Sequence, residues 1–150
     1  MNTGPHQVDH LLHFAQSHPV YVKACVGHNR GGVAVESDVA AFVEFANGVT
    51  ANLLLCQGYK PQTAEVALRL IGTAGLLEVN PWGHVQLSQN GETKEFPCEN
   101  IPGFEFEWQE MLAAIREDRE PQTNGAYGRQ VVALIDAIYR SGRERRAIIL

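Results

Sequence analysis

Asn47-Gly48 stands between two apolar runs, DVAAFVEFA before it and VTANLLLC after it, and no other stretch limits the fold as strongly. Such a pair predicts a tight hairpin, because both central residues of a type I′ turn need positive φ, which Asn and Gly tolerate best. In the first strand of that hairpin, Val39, Ala41, Val43 and Phe45 form one face and Ala40 and Phe42 the other. Both faces are apolar. A sheet covered on one side alone would show polar residues at alternate positions, so the second face is expected to be buried as well, against another subunit or, in the other reading, under a thin covering of loops.

The hairpin has neighbours of the same kind. PVYVKACV alternates Val20, Val22, Ala24 and Val26 with Tyr21, Lys23 and Cys25, which predicts a strand with two unlike faces. AEVALRLIG and LLEVN flank Thr73-Ala74-Gly75, and HVQLS and TKEFP flank Gln89-Asn90-Gly91. Connections this short predict antiparallel pairing, since parallel crossovers need a dozen or more residues. The period turns helical at both ends. Residues 4–16 place Val8, Leu11, Leu12 and Ala15 on one face, and Ser17-His18-Pro19 stops the helix. Phe104, Trp108, Met111, Leu112 and Ile115 mark a second helix. A third runs from Asn124 to about Ser141, with Val131, Leu134, Ile135, Ile138 and Tyr139 on one side and Gly142 as its expected C-terminal cap. AIIL reads as a final strand. The expectation is an α+β fold with one open, mostly antiparallel sheet and helices on one face, in a single domain over residues 1–150.

Composition narrows the function. A formal net charge of −5 over 150 residues gives no electrostatic footprint for nucleic acid or an anionic membrane. The basic cluster Arg140, Arg143, Arg145 and Arg146 is interleaved with Glu144 and reads as a solvated helix end. Three widely spaced cysteines, Cys25, Cys56 and Cys98, make neither a disulfide framework nor a Cys-rich zinc site. No run reaches the ~18 apolar residues of a membrane helix, and no signal peptide is visible. A cytoplasmic location is expected.

The sequence has no G-x-G-x-x-G, G-x-x-x-x-G-K-[ST], G-x-S-x-G or H-E-x-x-H motif, which removes the commonest self-contained enzymes. The remaining chemistry lies in the opening stretch, MNTGPHQVDHLLHF. His6 and Asp9 are three apart at a helix start and project to the same side. A carboxylate beside an imidazole fixes its tautomer, as a general acid/base near neutral pH requires. His6, Asp9 and His10 also have the spacing of a metal site. Solvated histidines on a helix surface are the third reading, and His10 and His13 fit it best.

GPHQVDHLLHF, SDVAAFVEFANGVTANL, LRLIGTAGLLEV, FEFEWQEMLAAI and GRQVVALIDAIYRSGRERRAIIL follow one another along nearly the whole chain. In that order they resemble the second, C-terminal domain of the glucose–fructose oxidoreductase/inositol dehydrogenase (Gfo/Idh/MocA) family. Ile71-Gly72-Thr73-x-Gly75 is unspecific by itself, whereas H-x-x-D ahead of the D-x-A…F-x-N-G hairpin is specific.

The resemblance implies an NAD(P)-dependent oxidoreductase acting on a sugar, inositol or related polyol. It implies an N-terminal Rossmann domain, absent from this chain, that binds NAD or NADP. No cofactor, metal or activity is expected for this chain by itself. The open sheet face implies a homodimer or homotetramer. In the family a lysine of the nucleotide-binding half and the histidine of H-x-x-D share proton transfer. His6 takes that histidine's place, as general acid/base and substrate-orienting group. Asp9 matches the acidic partner, placed to hold the imidazole or a substrate hydroxyl. Asn2 stands where the family often carries an aspartate; it cannot take a proton but can still hydrogen-bond. Tyr59 and Lys60 are candidate substrate contacts. Two alternatives stay open: a non-catalytic oligomerisation or interaction domain, and a His/Asp metal-binding α+β domain.

Overall fold

A computed structural model describes residues 4–28, 36–56, 68–80, 84–97 and 103–150. Its elements in chain order are α1 (Gly4–Ala15), β1 (Pro19–Gly27), β2 (Asp38–Phe45), β3 (Thr50–Cys56), β4 (Leu68–Gly72), β5 (Gly75–Val79), β6 (Val85–Gln89), β7 (Glu92–Phe96), α2 (Gly103–Arg116), α3 (Gly125–Glu144) and β8 (Ile148–Ile149). The fold class is α+β, and every strand pairing is antiparallel. Among the described residues the strands form two four-stranded sheets, β3-β2-β1-β8 and β4-β5-β6-β7. The chain divides into two compact units, Met1–Tyr59 with Gln122–Leu150, and Lys60–Pro121. Among the described residues no helix is long and apolar enough to cross a membrane.

The first unit has two layers. Alternation puts Val22 and Ala24 of β1, Val39, Ala41, Val43 and Phe45 of β2, and Leu53 of β3 on one side of the sheet, where all are buried. Onto that side α3 delivers Leu134, Ala137 and Ile138, and α1 delivers Val8, Leu12 and Ala15. These fall at helical spacing, as the sequence predicts. The opposite side stays open in the chain: Cys25, Ala40 and Leu54 lie in register across β1, β2 and β3, all exposed, with Leu54 at 80%.

The central hairpin differs from its expected turn. Asn47 keeps a negative φ, and only Gly48 is left-handed, at 87°. The Gly48 N–H donates to the Phe45 carbonyl and the Phe45 N–H to the Val49 carbonyl, both at 2.9 Å. The connection is therefore a three-residue loop closed by a glycine bulge. Its asparagine serves two partners: Oδ1 accepts from the Val49 N–H at 3.2 Å, and Nδ2 donates to the Ala15 carbonyl at 2.8 Å. That second bond satisfies the C-terminus of α1, a task the left-handed geometry does not require. The type I′ geometry occurs instead at Asn90-Gly91, where both φ values are positive (54° and 81°) between the paired Gln89 and Glu92.

The third helix also departs from expectation. It does not stop at Gly142 but runs to Glu144, with Arg145 in the left-handed region at φ 54° as the cap. Gly142 has a packing role instead, since a Cβ there would lie 2.7 Å from Val26 Cγ2 and 3.1 Å from Val26 Cβ. Overpacking of this kind costs about 1–3 kcal/mol, against up to about 1 kcal/mol gained by replacing helical glycine. Gly142→Ala is expected to destabilise the protein by about 1 kcal/mol in a urea titration. In the Gly142→Ala background Val26→Ala should cost less than it costs singly, a coupling the double-mutant cycle reads. Additive effects would remove the close approach from the account.

The second unit has a four-stranded antiparallel sheet of its own, β4-β5-β6-β7. Its sheet carries the Arg69–Glu78 cross-strand pair, with Nε donating to Oε1 at 2.7 Å. In α2 the predicted apolar stripe is helical but not buried: Phe104 is 76% exposed, Trp108 69% and Ile115 66%, and Ala114 is the buried residue of the helix.

Candidate active site

Pro5 pre-sets the first turn of α1, where its missing N–H costs nothing. His6 follows in that same turn, with its side chain exposed and with no hydrogen-bond partner among the described residues. Asp9 lies one turn further on and is half-buried. Its carboxylate is engaged by a residue far along the chain. Tyr127 donates its hydroxyl to Asp9 Oδ1 at 2.6 Å and lies 3.2 Å from the Asp9 backbone carbonyl.

The placement of Tyr127 has a local cause. Asn124 is the N-cap of α3 in extended conformation, and its Oδ1 accepts from the Tyr127 N–H at 2.9 Å. The cap fixes the first turn of α3, and the Tyr127 ring packs against the core cluster with its hydroxyl directed at α1. Burial, and then the hydrogen bond and negative charge of Asp9, push the phenol up to about 12. The hydroxyl therefore stays protonated through the neutral range and is a donor to Asp9. A second pair of this kind joins Tyr139 to the buried Glu36, and burial followed by the Glu36 carboxylate raises that phenol to about 12 as well.

His10 and His13 are exposed, with ring centroids 6.4 Å and 5.1 Å from that of Phe14. Among the described residues no three His, Cys, Asp or Glu side chains are grouped to hold a metal ion. Asn2, Tyr59 and Lys60 lie outside the described residues. Spacing predicts His6 and Asp9 one turn apart, as α1 has them, but gives no sign of Tyr127 as the partner of Asp9, from which 118 residues separate it. Asn124 at a helix start was the one signal near it.

Residues 1–78 match the family model described as the GFO/IDH/MocA C-terminal domain. No curated protein matches the sequence. Among solved structures, aldose-aldose oxidoreductase from Caulobacter crescentus, complexed with glycerol, superposes with a TM-score of 0.85 at 23% identity, covering 98% of this chain and 46% of that one. The WlbA dehydrogenase from Bordetella pertussis, in complex with NADH and UDP-GlcNAcA, gives 0.79 at 25% identity, covering 100% and 44%. An oxidoreductase from Agrobacterium radiobacter, in complex with NAD+, L-tartaric acid and magnesium, gives 0.80 at 16%, covering 97% and 47%. The chain spans less than half the length of each.

Proposed function

The chain belongs to the GFO/IDH/MocA C-terminal domain family, and on that premise we propose that it is the substrate-side half of an NAD(P)-dependent oxidoreductase acting on the CH–OH group of a sugar, inositol or related polyol. The observation that carries this reading is the α1 geometry, with an exposed imidazole that has no partner among the described residues and a carboxylate one turn away held by the Tyr127 hydroxyl. The described residues fit the substrate side of such a reaction, and the sequence contains no glycine fingerprint for a dinucleotide. Bound by an N-terminal Rossmann domain, the nicotinamide supplies the hydride acceptor or donor. His6 takes the hydroxyl proton as the carbonyl forms and returns it in the reverse direction. Asp9 accepts a hydrogen bond that orients the substrate, and Asn2, Tyr59 and Lys60 are further substrate contacts.

The test is turnover by this chain joined to a nucleotide-binding half, followed by nicotinamide absorbance over a panel of aldoses, inositols and linear polyols. Turnover with at least one of them is expected. A cofactor-loaded enzyme inert toward the whole panel would overturn the reading. The chain by itself should show no saturable change in NADH or NADPH fluorescence on titration; tight binding would contradict the division of labour between the two halves.

The open side of the first sheet favours a second, compatible role in assembly. Leu54, at 80% exposure, lies in register with Ala40 and Cys25, and Ile149, at 74%, pairs with Tyr21 further along the same face, which also carries Phe42, Lys23 and Glu44. Burying it against a second copy would make a homodimer or homotetramer.

A further inference from the structure

His6 and Asp9 share one side of α1 by spacing, which leaves two uses for the carboxylate: to orient the imidazole or to accept from a substrate hydroxyl. The structure separates them. Asp9 Oδ1 is taken by the Tyr127 hydroxyl at 2.6 Å, and that hydroxyl also lies 3.2 Å from the Asp9 carbonyl, so it grips the residue at two points. The grip comes from α3, whose first turn is fixed by the Asn124 cap. His6 meanwhile has no partner among the described residues. A carboxylate has about four lone-pair sites, and a donor on Oδ1 leaves Oδ2 for one more group.

We propose that Tyr127 is a positioning residue that turns Asp9 away from the His6 imidazole and holds Oδ2 ready for a substrate hydroxyl. The inference rests on the reading of His6 and Asp9 as the substrate site and selects between the two roles open to Asp9 there. In this arrangement a polyol meets two separate groups on α1: a free imidazole that exchanges a proton, and a fixed acceptor that reads a hydroxyl. Loss of the Tyr127 hydroxyl releases Asp9 to the neighbouring imidazole. The base then gains a partner that the native site denies it, and the substrate loses an acceptor.

The tautomer of His6 reports this without any turnover. Imidazole 15N shifts of the 150-residue chain, recorded above the histidine titration range, should give the mixture of a free imidazole. Tyr127→Phe, which keeps the buried ring, should move His6 toward a single tautomer, and Tyr127→Phe with Asp9→Asn should restore the mixture. Asp9→Asn in the native background provides a second arm that leaves Tyr127 intact. It should leave the His6 tautomer unchanged and bring the Tyr127 phenol down from about 12. A native His6 already in one tautomer, a His6 unmoved in folded Tyr127→Phe, or a His6 tautomer that changes in Asp9→Asn would overturn the proposal. Because none of these readouts uses substrate or cofactor, their failure is distinct from an inert substrate panel.

Discussion

In the enzyme with its nucleotide-binding half in place, His6→Ala is expected to lower kcat by about 10²- to 10⁴-fold, the usual contribution of a positioned general acid/base. His6 stands exposed at the start of α1 with no hydrogen-bond partner among the described residues, so removing it disturbs little else there. The core residues of the same helix, Val8, Leu12 and Ala15, point the other way. The loss should appear in kcat and kcat/KM together, because the proton transfer belongs to the transition state. His10→Ala and His13→Ala, whose exposed rings lie beside Phe14, should stay within about twofold of native, since neither is offered a proton to move. Steady-state assay of the three variants decides the matter. Native turnover in His6→Ala would take that residue out of the mechanism, and an equal loss in all three would point to a damaged helix instead.

The largest stability effect expected from a single atom is at Ser141. This hydroxyl is wholly buried in α3. It accepts from the Ala24 N–H at 2.8 Å and donates to the Arg146 carbonyl at 2.6 Å. The need for it follows from the sheet. β8 pairs with β1 at Tyr21 and Val22, so beyond that point β1 has an edge with no strand beside it among the described residues, and the Ala24 N–H faces the helix. Ser141 supplies the missing acceptor. Ser141→Ala leaves a buried donor unmade and frees the carbonyl just past the helix, at a cost of about 2–3 kcal/mol. In a protein of this size that is a fall in Tm of roughly 5–10 °C, measurable by calorimetry. A fall of less than about 1 °C would mean that water replaces the hydroxyl, which its complete burial argues against.

Much of the fold was legible because it rests on local rules. Alternation in β1 and β2, the turn dipeptides Asn47-Gly48 and Asn90-Gly91, and the stripe from Val131 to Ile138 each settle a nearby element. Two departures, at Gly142 and Asn47, share a different origin. Gly142 looks like a cap in sequence, but the constraint on it is Val26, which sits in another element. Asn47 looks like half of a type I′ turn, but its side chain answers to Ala15. The α2 stripe has the period of a buried face, yet Phe104, Trp108 and Ile115 are exposed, and period alone does not say what covers a helix. For the candidate site, spacing placed His6 and Asp9 one turn apart on α1, while the phenol that holds Asp9 belongs to a contact across most of the chain.

The layout of the first unit also sets an order of events in folding. Three strands of its sheet and α1 come from residues up to Cys56, while α3 and the fourth strand, β8, follow only after the whole of the second unit. The β2–β3 hairpin closes through three residues and forms locally, on the order of microseconds. The apolar side of that hairpin then waits for a helix encoded much later, and bringing the two together means closing a loop that contains another folding unit. High-separation contacts such as α3 on β1 are therefore the slow step. Until they form, Val39, Val43 and Phe45 remain an open, sticky strand surface, and a newly made chain is most exposed to aggregation in that interval.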